Sequence, residues 1–133
     1  TYCSATGVAR TARELLEQTP EESVLRRLSP EELTSKDVYD AAVGGDALAL
    51  RIFEQTGNIL GRALADCMAF CSPEAFVFFG GLAKAGELLL GPTRKSMEEN
   101  LFPVYRGKAR FLLSAMPDAD AAILGASALA WEL

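Results

Sequence analysis

Residues 76 to 86 read FVFFGGLAKAG, a run of bulky apolar side chains that ends in Gly80 and Gly81 and passes into a stretch compatible with a helix. Two residues without Cβ at the end of a strand let the backbone lie flush against a flat ligand such as an adenine or ribose ring. A phosphate loop needs more. Gly81 and Gly86 have the spacing of a Walker pattern, but Glu87 and Leu88 stand where a Lys and a hydroxyl would grip phosphate and Mg. The G-x-G-x-x-G of a dinucleotide fold is missing as well. Taken alone, the pair reads more readily as a tight β-to-α turn that needs positive φ, with the ligand wall as the alternative. Lys84, Glu87 and Arg94 could reach a ligand beyond that turn or simply be solvated.

Other residues with chemical potential are fewer than in most enzymes. The chain has no histidine, which removes the usual general base near neutral pH, the Ser-His and Cys-His nucleophile pairs and the imidazole ligands of most zinc sites. Its three cysteines, Cys3, Cys67 and Cys71, form no CxxC pair and no disulfide framework, which fits a reducing, cytoplasmic compartment. Cys67 and Cys71 are four apart in an apolar helical pattern, so they read as small buried hydrophobes rather than as a metal site. Asp118 and Asp120 resemble an acid-base pair but precede a helical run, where capping suits them better. Gly44-Gly45-Asp46 reads as a helix stop followed by a helix cap, since one carboxylate does not make a metal loop. A formal net charge of −5 argues against a nucleic-acid or anionic-membrane partner. No apolar run approaches the ~20 residues of a membrane span.

These residues need a scaffold, and 133 residues, half of them hydrophobic, are enough for a single domain over 1–133. Helical spacing runs from Ser4 to about Leu16, followed by short helical turns around SPEEL and a capped helix from Thr34 or Ser35 to Gly44. The longest helix is expected over about 46–71, about 39 Å at 1.5 Å per residue. Its small residues Gly57, Gly61, Ala63 and Ala65 suggest close approach by a neighbour. The contiguous Phe76, Val77, Phe78 and Phe79 predict a strand at about 75–80 covered on both faces, as in a parallel sheet. A second strand is expected at about 109–115, two helices between the strands, one ending near Gly91 and one starting at Pro92, and a final helix over about 119–131. Two strands do not make a stable sheet by themselves, so others must come from elsewhere.

The stretches TYCSATGVARTA, LTSKDVYDAAVGGDALALRIFEQTGNILGRALADCMAFCSPEAFVFFGGLAKAGELL and DADAAILGASALA together resemble the carboxyl-terminal part of a ROK-family protein (repressor, open reading frame, kinase), with the bacterial glucokinase branch the nearest in pattern. The resemblance implies a predominantly helical α/β fold, part of an actin-like, ribonuclease H-like ATPase lobe, from an enzyme that phosphorylates a hexose with ATP and Mg in the entry to glycolysis. It implies that Gly80 and Gly81, with Leu82, Ala83 and Lys84 after them, line the adenosine pocket. It also implies what this chain lacks: the D-x-G-x-T phosphate element, the catalytic aspartate, the E-x-G-H motif and the structural zinc segment, all of which lie upstream in the family. No catalytic or metal-binding residue is therefore expected in these 133, and the isolated chain is expected to be an inactive fragment. A homo-oligomer is expected, and a sugar-responsive repressor without its DNA-binding domain is the alternative parent.

Overall fold

The computed structural model describes residues 2–116 and 118–131. Helix α1 spans Ala5–Gln18, with the Ser4 hydroxyl accepting the Gly7 amide as its N-cap. A 3-10 turn follows at Val24–Arg27, then α2 at Ser35–Val43 and α3 at Ala47–Cys71. Strand β1 (Ala75–Phe78) leads through a 3-10 turn at Gly81–Ala85 into α4 (Glu87–Asn100), and a third such turn at Pro103–Tyr105 leads into β2 (Arg110–Leu113). Helix α5 covers Asp118–Trp131.

Local sequence explains most boundaries. Thr34 and Asp37 form a reciprocal capping box that starts α2, and Gly44 with Gly45, at φ 85°, ends it. The Thr34 hydroxyl and amide bind the Asp37 carboxylate and hold its pKa below the ordinary range. Asp46 then caps α3 by accepting the Ala49 amide at 3.0 Å, and it also accepts the Val24 amide at 2.8 Å and the Ser23 hydroxyl at 3.1 Å. One carboxylate thus ties the Val24–Arg27 turn to the start of α3. Burial acts to raise the Asp46 pKa, and the hydrogen bonds from Ala49, Val24, Ser23 and Leu48 outweigh it, leaving the group below its ordinary value. A lowered folded pKa contributes stability above the unfolded value of about 3.9 and loses it as pH falls through the folded value. Asp46→Ala is therefore expected to cost about 1–2 kcal/mol at neutral pH in urea unfolding, a gap that narrows under acid conditions.

Two arginines act as clamps that periodicity does not reveal. Arg26 donates to the carbonyls of Glu21, Leu16 and Thr19, the last two at the carboxyl end of α1, where unpaired carbonyls favour a cation. Arg13 donates to the carbonyls of Pro30 and Leu33 and pins the loop before α2.

The main core joins α1, α2, the first half of α3 and the start of α4 through Val8, Leu25, Val38, Ile52, Phe53 and Leu89. A second cluster of Ala65, Met68, Met97 and Leu101 packs the lower halves of α3 and α4 toward Phe76 and Phe111 of the sheet. The two long helices run in the same direction and touch at small residues. A Cβ on Gly57 would fall 2.7 Å from Pro92 Cβ, and one on Gly61 would fall 2.5 Å from the Thr93 carbonyl oxygen. Ser96 crosses the seam by donating to the Asn58 carbonyl at 2.9 Å. Ala65 is buried there too, whereas Ala63 is exposed and takes no part.

Several sequence expectations need correction. The two helices expected on either side of Pro92 are one, because Gly91 has no Cβ to clash with the proline ring and Pro92 itself is packed against Gly57 of α3. The strands are shorter than expected, β1 ending before Gly80 turns the chain at φ 91°. They pair in parallel with Phe76 opposite Phe111 and Phe78 opposite Leu113. Among the described residues one face of that pair is covered: Phe76, Phe78 and Phe111 meet edge to face and tilted at 5.0 to 6.0 Å, while Val77 on the other face is 59% exposed. Side chains alternate along a strand, and α3 and α4 lie on one side only. Cys67 and Cys71 are likewise exposed rather than buried, since they fall off the stripe that Ala65 and Met68 bury.

Candidate functional site

The turn after β1 is where the sequence drew attention, and its two glycines differ. Gly80 has φ 91° and ψ 174°, a region open essentially to glycine alone. Its carbonyl accepts the Ala83 amide at 3.1 Å, closing the turn, and Gly86, at φ 56°, restarts the chain as α4. Gly80 is thus explained by the turn. Gly81 is not: its φ is not in the left-handed region, and a Cβ there would meet nothing within 4 Å. Neither backbone conformation nor internal packing demands a glycine at that position. Its bare backbone faces open space.

That space is a cleft of about 450 Å³ between the turn and α2, within the usual range of small-molecule pockets. Gly81, Leu82, Lys84 and Ala85 form one wall, and Ser35, Lys36, Tyr39 and Asp40 of α2 form the other. The floor is apolar and continuous with the main core. Tyr39 packs edge to face on Phe53 at 6.5 Å, and Leu82 packs against the same main core. Lys36 and Asp40 are exposed at its rim, one turn apart on α2. A flat apolar body with a polar edge would meet backbone on one side, an aromatic base below and both signs of charge at the mouth.

A second hollow of about 230 Å³ opens at the carboxyl ends of the strands and is lined by Phe79, Gly80, Ala83, Lys84, Leu113 and Ser114 among others. Carboxyl ends of parallel strands are where open α/β sheets bind ligands. The five residues singled out from sequence therefore stand together but split between two hollows: Gly81 and Leu82 face the larger, Gly80 and Ala83 the smaller, and Lys84 borders both. Ala83 is buried under the turn, so it shapes the site more than it offers a surface. Glu87 and Arg94 lie 3.5 Å apart on α4, and Arg94 sits over the Phe111 ring, outside both hollows. Asp118 opens α5, but the side chains of Asp118 and Asp120 lie outside the described residues. A further hollow of about 530 Å³ lies between α2 and the Val24–Arg27 turn. Of its carboxylates, Asp37 and Asp46 are committed to helix caps, while Asp40 also borders the cleft on the glycine-turn side.

Sequence reasoning found one wall and missed the other. Lys36 and Asp40 are on the side of α2 away from the Val38, Ala41 and Ala42 stripe, so their outward placement was readable, while Tyr39 flanks that stripe and packs against the core. What they face depends on how α2 packs over Phe53, which no local pattern encodes.

A long helix, a parallel strand pair and a glycine turn opening on a cleft define part of an actin-like α/β lobe, the fold of the sugar kinases this chain superposes on. The chain belongs to the ROK family, whose model matches residues 1–132. A glucokinase of Thermotoga maritima is 34% identical over 130 residues, covering 97% of this chain and 41% of that protein. A ROK family glucokinase from Streptomyces griseus, solved in complex with glucose and AMPPNP, superposes with a TM-score of 0.75 at 32% identity, over 84% of this chain and 38% of that one. A ROK family transcriptional regulator, a homologue of the E. coli MLC protein, superposes with a TM-score of 0.72 at 26% identity, over 86% of this chain and 28% of that one. The chain thus spans well under half the length of the relatives it matches.

Proposed function

We propose that these residues form the adenosine side of the nucleotide cleft in an ATP-dependent hexose kinase of the glucokinase type, with Gly81, Leu82 and Lys84 facing α2 across the cleft and Gly80 and Ala83 shaping the turn behind them. The observation that carries this reading is Gly81, a glycine that neither its φ nor any neighbour requires, set on a cleft with an apolar floor. The relative solved with AMPPNP and glucose supports ATP as donor and a hexose as acceptor.

The residues present suit the nucleoside, with an apolar floor and a bare glycine backbone for a flat ring. Mg is held by one or two carboxylates together with the substrate phosphates, and its coordination is not assigned to residues of this chain. Nor is a general base assigned to a residue of this chain. Phosphoryl transfer needs base, metal-held phosphates and acceptor in one geometry. The chain supplies binding and orientation of the adenosine, and the 133 residues alone are expected to form no ADP from ATP and glucose in a coupled assay. Glucose-dependent turnover that survives repurification would contradict this.

The apolar face left open by the fold fits a chain that packs against more protein, whether the remainder of a larger lobe or a second copy. Val77 and Phe79 of the strand segment and Ile123 of α5 are all more than half exposed. A sugar-responsive regulator is the second reading, favoured by the superposition on such a protein. A basic helix-turn-helix in the same gene product would mark the regulator, and a D-x-G-x-T element with the catalytic aspartate would mark the kinase.

A further inference from the structure

We propose that Cys67 and Cys71 form a two-thiolate chelate for a soft monovalent metal ion of the Cu(I) type, at the far end of α3 from the nucleotide cleft. Both thiols are exposed, on the last two turns of the helix. Residues four apart on a helix bring their Cβ atoms to about 5–6 Å, close enough for two sulfur atoms to share one ion. The Cys71 Sγ donates to the Cys67 carbonyl at 3.1 Å, which places that sulfur against the turn that carries Cys67.

The donor set selects the ion. Among the described residues no third His, Cys, Asp or Glu stands with the pair. Zinc in a structural site takes four ligands in a tetrahedron and is poorly served by two. A soft cation content with two thiolates is well served. Binding exchanges two S–H bonds for two S–Cu bonds and releases two protons, with no change in oxidation state of copper or sulfur. Cys3 cannot take part. It is half-buried under α3, its Sγ pointing at the Thr56 carbonyl 3.7 Å away, and burial pushes its thiol pKa up.

The test is an anaerobic titration of the reduced chain with Cu(I) supplied as its acetonitrile complex, against a chromogenic Cu(I) chelator, with sedimentation velocity on the same samples. The expected result is a single Cu(I) per chain, no change in oligomeric state on loading, and the same affinity in Cys3→Ser. Cys67→Ser and Cys71→Ser are each expected to weaken binding by more than about tenfold, at least the loss seen when a merely supporting group at a metal site is removed. Both positions are exposed, and circular dichroism verifies that the variants fold. The proposal is overturned if either single variant binds like the parent, if Cys3→Ser abolishes binding, if copper bridges two chains, or if Zn(II) binds as tightly as Cu(I).

Discussion

Replacing Gly61 by alanine is expected to destabilise the chain, although alanine is the better helix former by about 1 kcal/mol. The added Cβ would sit 2.5 Å from the Thr93 carbonyl oxygen, 2.7 Å from Ser96 Cβ and 2.8 Å from the Met97 amide nitrogen. Two of those three atoms are backbone and cannot rotate away. Helices α3 and α4 must move apart, which loosens Ser96 from the Asn58 carbonyl and opens the cluster of Met68, Met97 and Leu101. Overpacking of this kind costs about 1–3 kcal/mol or more, so the sign should be clear in urea or thermal unfolding. Gly57→Ala should behave similarly but more mildly, because its closest contact is Pro92 Cβ at 2.7 Å and the backbone atoms stand at 3.0 and 3.1 Å.

Gly81→Leu is expected to do the opposite, leaving stability within about 0.5 kcal/mol of the parent while removing adenosine binding. Nothing lies within 4 Å of the new Cβ and no positive φ is violated, so the folded state accommodates it. The same side chain would project into the space between the turn and α2 where the base is proposed to lie. A loss of more than about tenfold in affinity, about 1.4 kcal/mol, is expected. Gly80→Leu is a less informative variant. At φ 91° it strains the backbone by about 1–3 kcal/mol, so lost binding could follow from a distorted turn. If Gly81 only turned the chain, the leucine variant would bind as the parent does.

The elements that could be read from sequence are those whose determinants are local. Ser4, Thr34 with Asp37, Gly44 with Gly45, and Asp46 each mark a helix end through a hydrogen bond or a backbone angle within a few residues, and each does so in the structure. The small-residue stripe of α3 also read correctly at Gly57, Gly61 and Ala65, because close helix packing demands small side chains at helical spacing. Failures cluster where the outcome depends on what lies across the fold. Continuous bulk from Phe76 to Phe79 suggested cover on both faces, yet no second layer lies over Val77 and Phe79 among the described residues. Cys67 and Cys71 read as buried because their neighbours are apolar, and Pro92 read as a helix start because proline usually is one; tertiary packing decided both. For the site, the glycine turn was legible and the α2 wall was not. The ROK resemblance, shown for the chain by the family match, weighted the glycine pair toward a ligand surface, whereas the local pattern alone favoured a plain turn.

The most direct measurement is a heteronuclear NMR titration of the 133-residue chain with an adenosine nucleotide, run in parallel on Gly81→Leu. The adenosine wall predicts saturable shifts confined to the amides of 80–84 on one side and 35–40 on the other, with little change along α3 near Cys67 and Cys71, and it predicts that these shifts weaken or vanish in the variant. Shifts that avoid both walls, an absence of shifts at any nucleotide concentration the chain tolerates, or an unchanged titration in Gly81→Leu would contradict it.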